Sequence, residues 1–278
     1  MIVQEYQTNK MKRQFQLFLI AIMFYTRIPI RVNVAYTDEK LNASTRYFPL
    51  IGYVVGAISF IGFYLTQFIL PIELAILASF IVGILTTGAF HEDGLADFFD
   101  GFGGGWTTEK ILDIMKDSRV GTYGMVASLV QLAIKFYTLF YLVNMMLPFG
   151  MHWIFLLFII YHSLARFTAI QLCFLLDYVR LDETSKAKPI AKKQSWKEIL
   201  GVYIFGLFPV SILILQFPLF LGVFIPIMFL IFYFKSYLKQ WIGGYTGDCL
   251  GAVEQIAEGV ILLTILALWK YISFDILP

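Results

Sequence analysis

Charge is what this chain has least of. Only 14% of its 278 residues are charged, where a soluble globular domain carries about 25%. Hydrophobic residues make up 59%, and the mean hydropathy is +0.75. Too little polar surface remains to cover a compact body in water, so a soluble fold is excluded and the apolar excess must face lipid. Cysteine is also scarce. Cys173, inside an apolar run, and Cys249, beside a glycine-rich turn, make neither a disulfide framework nor a metal pattern, and both are expected to pack between helices. A net charge of +2 gives no ground for a nucleic-acid partner. A cleavable signal peptide is not expected either. The first apolar stretch follows Lys10, Lys12 and Arg13 but runs into Arg27-Ile28-Pro29 without a small-residue cleavage site.

What is abundant is long apolar runs. Stretches near 47–70, 72–90, 121–147, 152–176, 199–217, 218–234 and 250–274 are each long enough to cross a bilayer as a helix. Proline or glycine marks most junctions, at Pro71, Pro148 with Gly150, and Pro218. The segment 14–30 is shorter in its apolar part and is broken by Arg27, which reads as a helix lying at the interface or re-entering. The expectation is one all-α integral membrane domain over 1–278, a polytopic bundle of about seven spans plus that N-terminal helix. Charge supports the number. All of the 21 Lys and Arg residues except Lys135, Arg166 and Lys270 fall in the N-terminal segment, the loop 91–119, the loop 177–198 and the stretch after 234. With seven spans these share one side. The positive-inside rule makes that side cytoplasmic.

Among those basic loops stands an acidic stretch, Phe90-His91-Glu92-Asp93-Gly94-Leu95-Ala96-Asp97-Phe98-Phe99-Asp100-Gly101. Asp93, Asp97 and Asp100 are spaced i, i+4 and i+7, one face of a helix continued through them. Adjacent carboxylates raise one another's pKa, and a divalent cation relieves the conflict. All-oxygen ligands favour Mg²⁺ or Mn²⁺ over zinc. A solvated helix end would need neither this spacing nor the flanking Leu95, Phe98 and Phe99 that would hold the carboxylate face inward. Gly101-Phe102-Gly103-Gly104-Gly105 reads as a flexible turn whose amides could approach phosphate, with Gly104 central to it. It lacks the Gly-Lys-Ser/Thr ending of a P-loop. Thr107 or Thr108 then caps a short amphipathic helix bearing Ile111, Leu112, Ile114 and Met115. The following Lys116-Asp117-Ser118-Arg119 is either interfacial anchoring or a fourth carboxylate and a phosphate-binding arginine returned to the metal.

Two further places carry polar groups where they are expensive. Gly243-Gly244-Tyr245-Thr246-Gly247-Asp248 precedes a span containing Glu254 and Glu258, and intramembrane carboxylates are functional candidates. Arg166 lies deep in another span with His162 one turn earlier. The buried guanidinium needs an anion, either a protein carboxylate or a substrate phosphate, and His162 reads as a packing or hydrogen-bonding residue.

Taken in order across most of the chain, the motifs resemble the cobalamin synthase family, the adenosylcobinamide-GDP ribazoletransferases. The likeness rests on Thr26-Arg27-Ile28-Pro29, on Phe48-Pro49-Leu50-Ile51-Gly52 and on His91-Glu92-Asp93-Gly94-Leu95-Ala96-Asp97. It continues through Asp100-Gly101, the run from Ile114 to Gly124, Lys186-Ala187-Lys188-Pro189, and the run from Gly243 to Ala252. The resemblance implies a Mg²⁺-dependent transfer from adenosylcobinamide-GDP to the 3′-hydroxyl of α-ribazole or its 5′-phosphate, with release of GMP. It implies metal ligation by Asp93, Asp97, Asp100 and Asp117. Catalytic roles would fall to Asp97, Asp100, Asp248 and Arg119, and substrate contacts to His91, Arg27, Arg166, Lys188 and Gly104.

Two other classes compete. A CDP-alcohol phosphotransferase uses Asp-Gly-x2-Ala-Arg followed by Gly-x3-Asp-x3-Asp, but here Asp97 replaces the Arg and Asp100 arrives too early. A transporter would show inverted repeats with helices broken near the midplane, and no such symmetry is visible. Gly52 and Gly56 leave room for a partner helix in a homo-oligomer, although packing within the bundle is their expected use.

Overall fold

A computed structural model describes residues 2–32, 34, 36–179 and 194–276. Among them are eleven α-helices and no strand; one isolated parallel bridge joins Tyr178 to Tyr245. The helices are α1 (Ile2–Tyr25), α2 (Asp38–Ser44), α3 (Phe48–Thr66), α4 (Ile72–Thr87), α5 (Phe90–Gly104) and α6 (Thr108–Ile114). They continue as α7 (Thr122–Met146), α8 (Met151–Leu175), α9 (Trp196–Gln216), α10 (Phe224–Ile242) and α11 (Gly247–Ile276). Six helical stretches are long and apolar enough to cross a membrane, and a seventh arises if α4 and α5 are counted as one broken span. The protein is therefore a multi-pass membrane protein, close to the count read from hydropathy.

The bundle is organised around α8. Its apolar stretch is 83% buried inside the protein, against 28% for the stretch that includes α10. Most of α10 is open at the bundle surface, whereas α8 is surrounded by protein. Glycine permits the closest of its contacts. A methyl group on Gly52 of α3 would stand 2.6 Å from the His162 carbonyl oxygen, and one on Gly56 would stand 2.6 Å from that of Phe158. Both glycines are spent on α3–α8 packing within one chain, as expected. Tyr53 on the next face of α3 donates its hydroxyl to the Phe205 carbonyl of α9 at 2.6 Å.

Three boundaries differ from the hydropathy reading. The helix expected over 14–30 runs instead from Ile2 to Tyr25 and stops there, the Arg27 amide donating to the Thr86 carbonyl in place of a carbonyl of its own helix. It is not among the helices apolar enough to span. The sixth span, expected to end near 234, continues to Ile242, and Gly243 then terminates it in the left-handed region at φ 77°. The acidic stretch does not simply extend the second span. At Gly88 (φ 71°) and Ala89 (φ 57°) two successive left-handed residues break the helix, and α5 leaves α4 at 88°. Glycine tolerates this conformation without strain, whereas alanine does not. The turn is held by its surroundings: the Arg27 amide donates to Thr86 O at 2.7 Å, and the Arg27 side chain lies over Gly88.

A Gly52→Val substitution should destabilise the fold by about 1–3 kcal/mol through overpacking against α8. Thermal unfolding in detergent, compared with Gly62→Val on the same helix, measures the difference.

Candidate active site

The acidic helix α5 is fastened at both ends. At its far end the buried Asp100 carboxylate accepts the amide of Gly121 at 2.6 Å and that of Gly124 at 2.9 Å. These are the cap and a first-turn residue of α7, so an anion meets the positive end of a helix whose first amides have no other partner. A methyl on Gly124 would stand 2.5 Å from that carboxylate, so the contact needs a bare backbone. At its near end, buried His91 lies 3.5 Å from Glu254 of α11.

Between these ends α5 runs antiparallel along α11 in closest contact. A methyl on Gly94 would stand 3.1 Å from both Cα and the carbonyl oxygen of Asp248, and 3.2 Å from Cα of Gly251. The pairing of His91 with Glu254 and of Gly94 with Gly251 and Asp248 brings Asp97, one turn onward, level with the first turn of α11. Asp93 and Asp97 on α5 and Asp248 on α11 thus belong to one region. Asp93 is exposed and Asp97 and Asp248 are half-buried. The start of α11 is itself fixed: buried Thr246 accepts the Cys249 amide at 3.3 Å. The Tyr245 amide donates to Asp177 O at 3.0 Å, and the Val179 amide to Tyr245 O at 3.1 Å.

The other expected residues distribute as follows. The glycine stretch is helical through Gly104, with Gly105 as the cap, so it is not the flexible turn expected. Its glycines serve packing: a methyl on Gly103 would collide with the Tyr123 ring at 2.5 Å, and one on Gly101 with Met115 at 2.7 Å. Gly104 is exposed at the helix end. Thr107 caps α6, and Thr108 ties α6 to α10 by donating to Trp241 O at 2.8 Å. Asp117 and Arg119 bond to each other, Nη2 to Oδ2 at 2.5 Å. That contact holds the Asp117 carboxyl down at about 2. Arg119 is exposed, as is Arg27 at the α4–α5 turn. Lys188 and most of the loop 177–198 lie outside the described residues.

Arg166 finds its anion in the protein. It is 1% exposed, reaches Glu254 at 2.8 Å and donates to the His162 carbonyl at 2.8 Å. His162 meets Glu258 at 2.5 Å, which confirms a bonding role for this histidine. Lys135 of α7 pairs with Glu258 and reaches Gln255 at 3.2 Å. Gln131, Gln255 and Glu92 complete the buried network. Charges this deep persist only when paired. The sequence exposed Glu254, Glu258 and Arg166 as costly residues, but Lys135 and the two glutamines gave no signal beyond being polar within a span.

Among the described residues, no three His, Cys, Asp or Glu side chains form a ready-made metal cage. The oxygens at the α5–α11 crossing suit Mg²⁺ in another way, since that ion commonly takes one or two carboxylates and completes its shell with water and substrate phosphates. Asp100 and Asp117 are already bonded within the protein as described.

A profile of the cobalamin-5-phosphate synthase family matches residues 17–266. That span covers every element of the crossing and both of its fastenings. The chain belongs to this family. Among its relatives, an adenosylcobinamide-GDP ribazoletransferase of Leptospira interrogans is 41% identical over 95% of this chain and 100% of its own length. One from Shewanella amazonensis is 43% identical over 93% and 98%, and one from Vibrio parahaemolyticus 40% over 94% and 96%. No solved structure matches the chain. Family membership thus agrees with the resemblance read from the motifs.

Asp100→Ala should lower unfolding stability by about 0.5–2 kcal/mol, the range for losing a helix cap, whereas Asp117→Ala at its open position should shift it by no more than about 0.5 kcal/mol. Denaturation in detergent separates the two. The depressed Asp117 value means that its pairing with Arg119 is complete above the ordinary aspartate value of about 4 and is lost as pH falls through about 2. A carboxyl ¹³C titration of Asp117 should find that low midpoint.

Proposed function

We propose that this protein joins adenosylcobinamide-GDP to α-ribazole or its 5′-phosphate, giving adenosylcobalamin or its 5′-phosphate and GMP. The observation that carries the reading is the close crossing at Gly94, where α5 and α11 bring Asp93, Asp97 and Asp248 into one region. The full-length relatives that share this chain's family bear the name of that reaction.

In the transfer, the ribazole 3′-oxygen forms a bond to the phosphorus that carries the cobinamide arm. The phosphoanhydride bond to GMP breaks, and the hydroxyl proton passes to a carboxylate. We assign that carboxylate to Asp97 or Asp248. Asp93, Asp97 and Asp248 are the oxygen donors suited to Mg²⁺, which would neutralise charge on the diphosphate and the departing GMP. Asp100 serves by holding α5 against the start of α7. Exposed Arg119 and Arg27 supply positive charge at the approach to a polyanionic substrate. His91 and Arg166 are buried, so their assigned contribution runs through Glu254 and not through direct contact with phosphate. The basic loops and this site face the cytoplasm in this reading, where nucleotide substrates are dissolved.

Purified protein in detergent or nanodiscs should release GMP from adenosylcobinamide-GDP only when α-ribazole and Mg²⁺ are both present. Asp97→Ala should reduce the rate by about 10²-fold or more, the scale of losing a group that stabilises transition-state charge. Folded protein that releases no GMP with all three components supplied would refute the assignment, and release of CMP from a CDP-alcohol would replace it.

A further inference from the structure

The near end of the acidic helix is held across the bundle more than along the chain. It is joined to α4 through two left-handed residues, Gly88 and Ala89, at 88°. Its first turn, His91 and Glu92, is instead met by α11: His91 lies 3.5 Å from Glu254, and Gln255 donates to Glu92 at 3.4 Å. Glu254 and Gln255 are in turn held by side chains of α7 and α8 that do not themselves reach the aspartates assigned to the transfer. Arg166 of α8 reaches Glu254 at 2.8 Å, Lys135 of α7 reaches Gln255 at 3.2 Å, and Gln255 donates to Glu254 at 3.0 Å. Asp93 follows Glu92 directly, and Asp97 is one turn further.

We propose that Arg166, Glu254 and Gln255 are positioning residues for the transfer, setting the register of α5 on α11 and so the location of Asp93 and Asp97 opposite Asp248. This rests on the reaction assigned above. The alternative role is bundle stability alone. Two features speak for register. Protein groups alone do not close the network: His91 Nε2, Glu92 Oε2, His162 Nε2 and Arg166 Nε are buried with no hydrogen bond to another protein group. A network serving only cohesion would gain by satisfying or discarding such groups, because replacing a buried ion pair by apolar side chains is often neutral or stabilising. Those atoms also surround a cavity of about 20 Å³, room for about one water molecule. The network therefore includes a small void of mixed lining at the root of the acidic helix, where well-packed apolar side chains would give greater cohesion.

The test separates position from cohesion. Removing one charge strands the other, so the decisive variant replaces both partners, Arg166→Met with Glu254→Met. The control is the same replacement of the Arg46–Glu198 pair, which lies between the segment before α3 and the start of α9. GMP release is measured with wild-type protein in parallel. The first double variant should fold, with a wild-type gel-filtration profile, and should lose at least about 10-fold in kcat. Its KM for both substrates should stay within about 3-fold, and the control pair should keep wild-type kcat. A folded Arg166–Glu254 double variant with wild-type kcat overturns the proposal, as does an equal loss in the control. If that variant does not fold, Gln255→Met is read by the same criterion: reduced kcat at constant KM supports the proposal, and unchanged kcat overturns it. Inactive wild-type protein would instead refute the reaction itself, and the positioning role with it.

Discussion

A charge placed in an apolar bundle must find its opposite within the protein, and most of this structure can be understood from that requirement. Glu254 and Glu258 stand one turn apart on α11, inside a helix that would otherwise read as a plain span. Each carboxylate is answered from a different helix, Glu254 by Arg166 of α8 and Glu258 by Lys135 of α7, with His162 alongside. Lipid offers no substitute partner for any of them. Sliding α11 by a turn against α7 or α8 would strand several charges together, so the network specifies register far more strictly than leucines and isoleucines could, since apolar contacts exchange at little penalty.

The same logic appears in milder form at the other end of α5. Asp100 is buried, but its partners are two backbone amides at the start of α7, not a cation. The acidic helix is thus stretched between two anionic fastenings, Glu254 at its root and Asp100 at its tip. Between them lies the bare-backbone contact of Gly94 with Asp248. The aspartates assigned to chemistry occupy the interval between fixed points. That arrangement suits a phosphoryl transfer, in which the protein's contribution is chiefly placement and charge.

Much of this was legible in the sequence. The long apolar runs and the one-sided lysines and arginines indicated the bundle and its number of spans, because thickness of hydrocarbon and exclusion of charge act directly on composition. The i, i+4, i+7 aspartates indicated a helical face, and α5 does run unbroken through all three. What could not be read was the break before it. Gly88 announces a turn, but nothing in Ala89 foretells a left-handed alanine, in a turn that Arg27 braces from a distant segment. The glycines after Asp100 were misleading for a related reason. They suggested a loop, whereas Met115 and Tyr123 approach the helix too closely for larger side chains. Roles also shifted within the aspartates: spacing could not distinguish Asp100, which caps α7, from Asp97, because the deciding partners lie some twenty residues onward.

The sharp turn at Gly88 also bears on the membrane. With 16 residues, α4 rises roughly 24 Å at 1.5 Å per residue, short of a hydrocarbon core about 30 Å thick. Centred in the core and upright, α4 would turn before reaching the headgroups on that side. Either the bilayer thins around α4 or the root of α5 is recessed below the lipid surface. In both cases bulky, water-soluble reactants would meet a funnel in the membrane face, and lipid composition and thickness would become variables of the enzyme's rate.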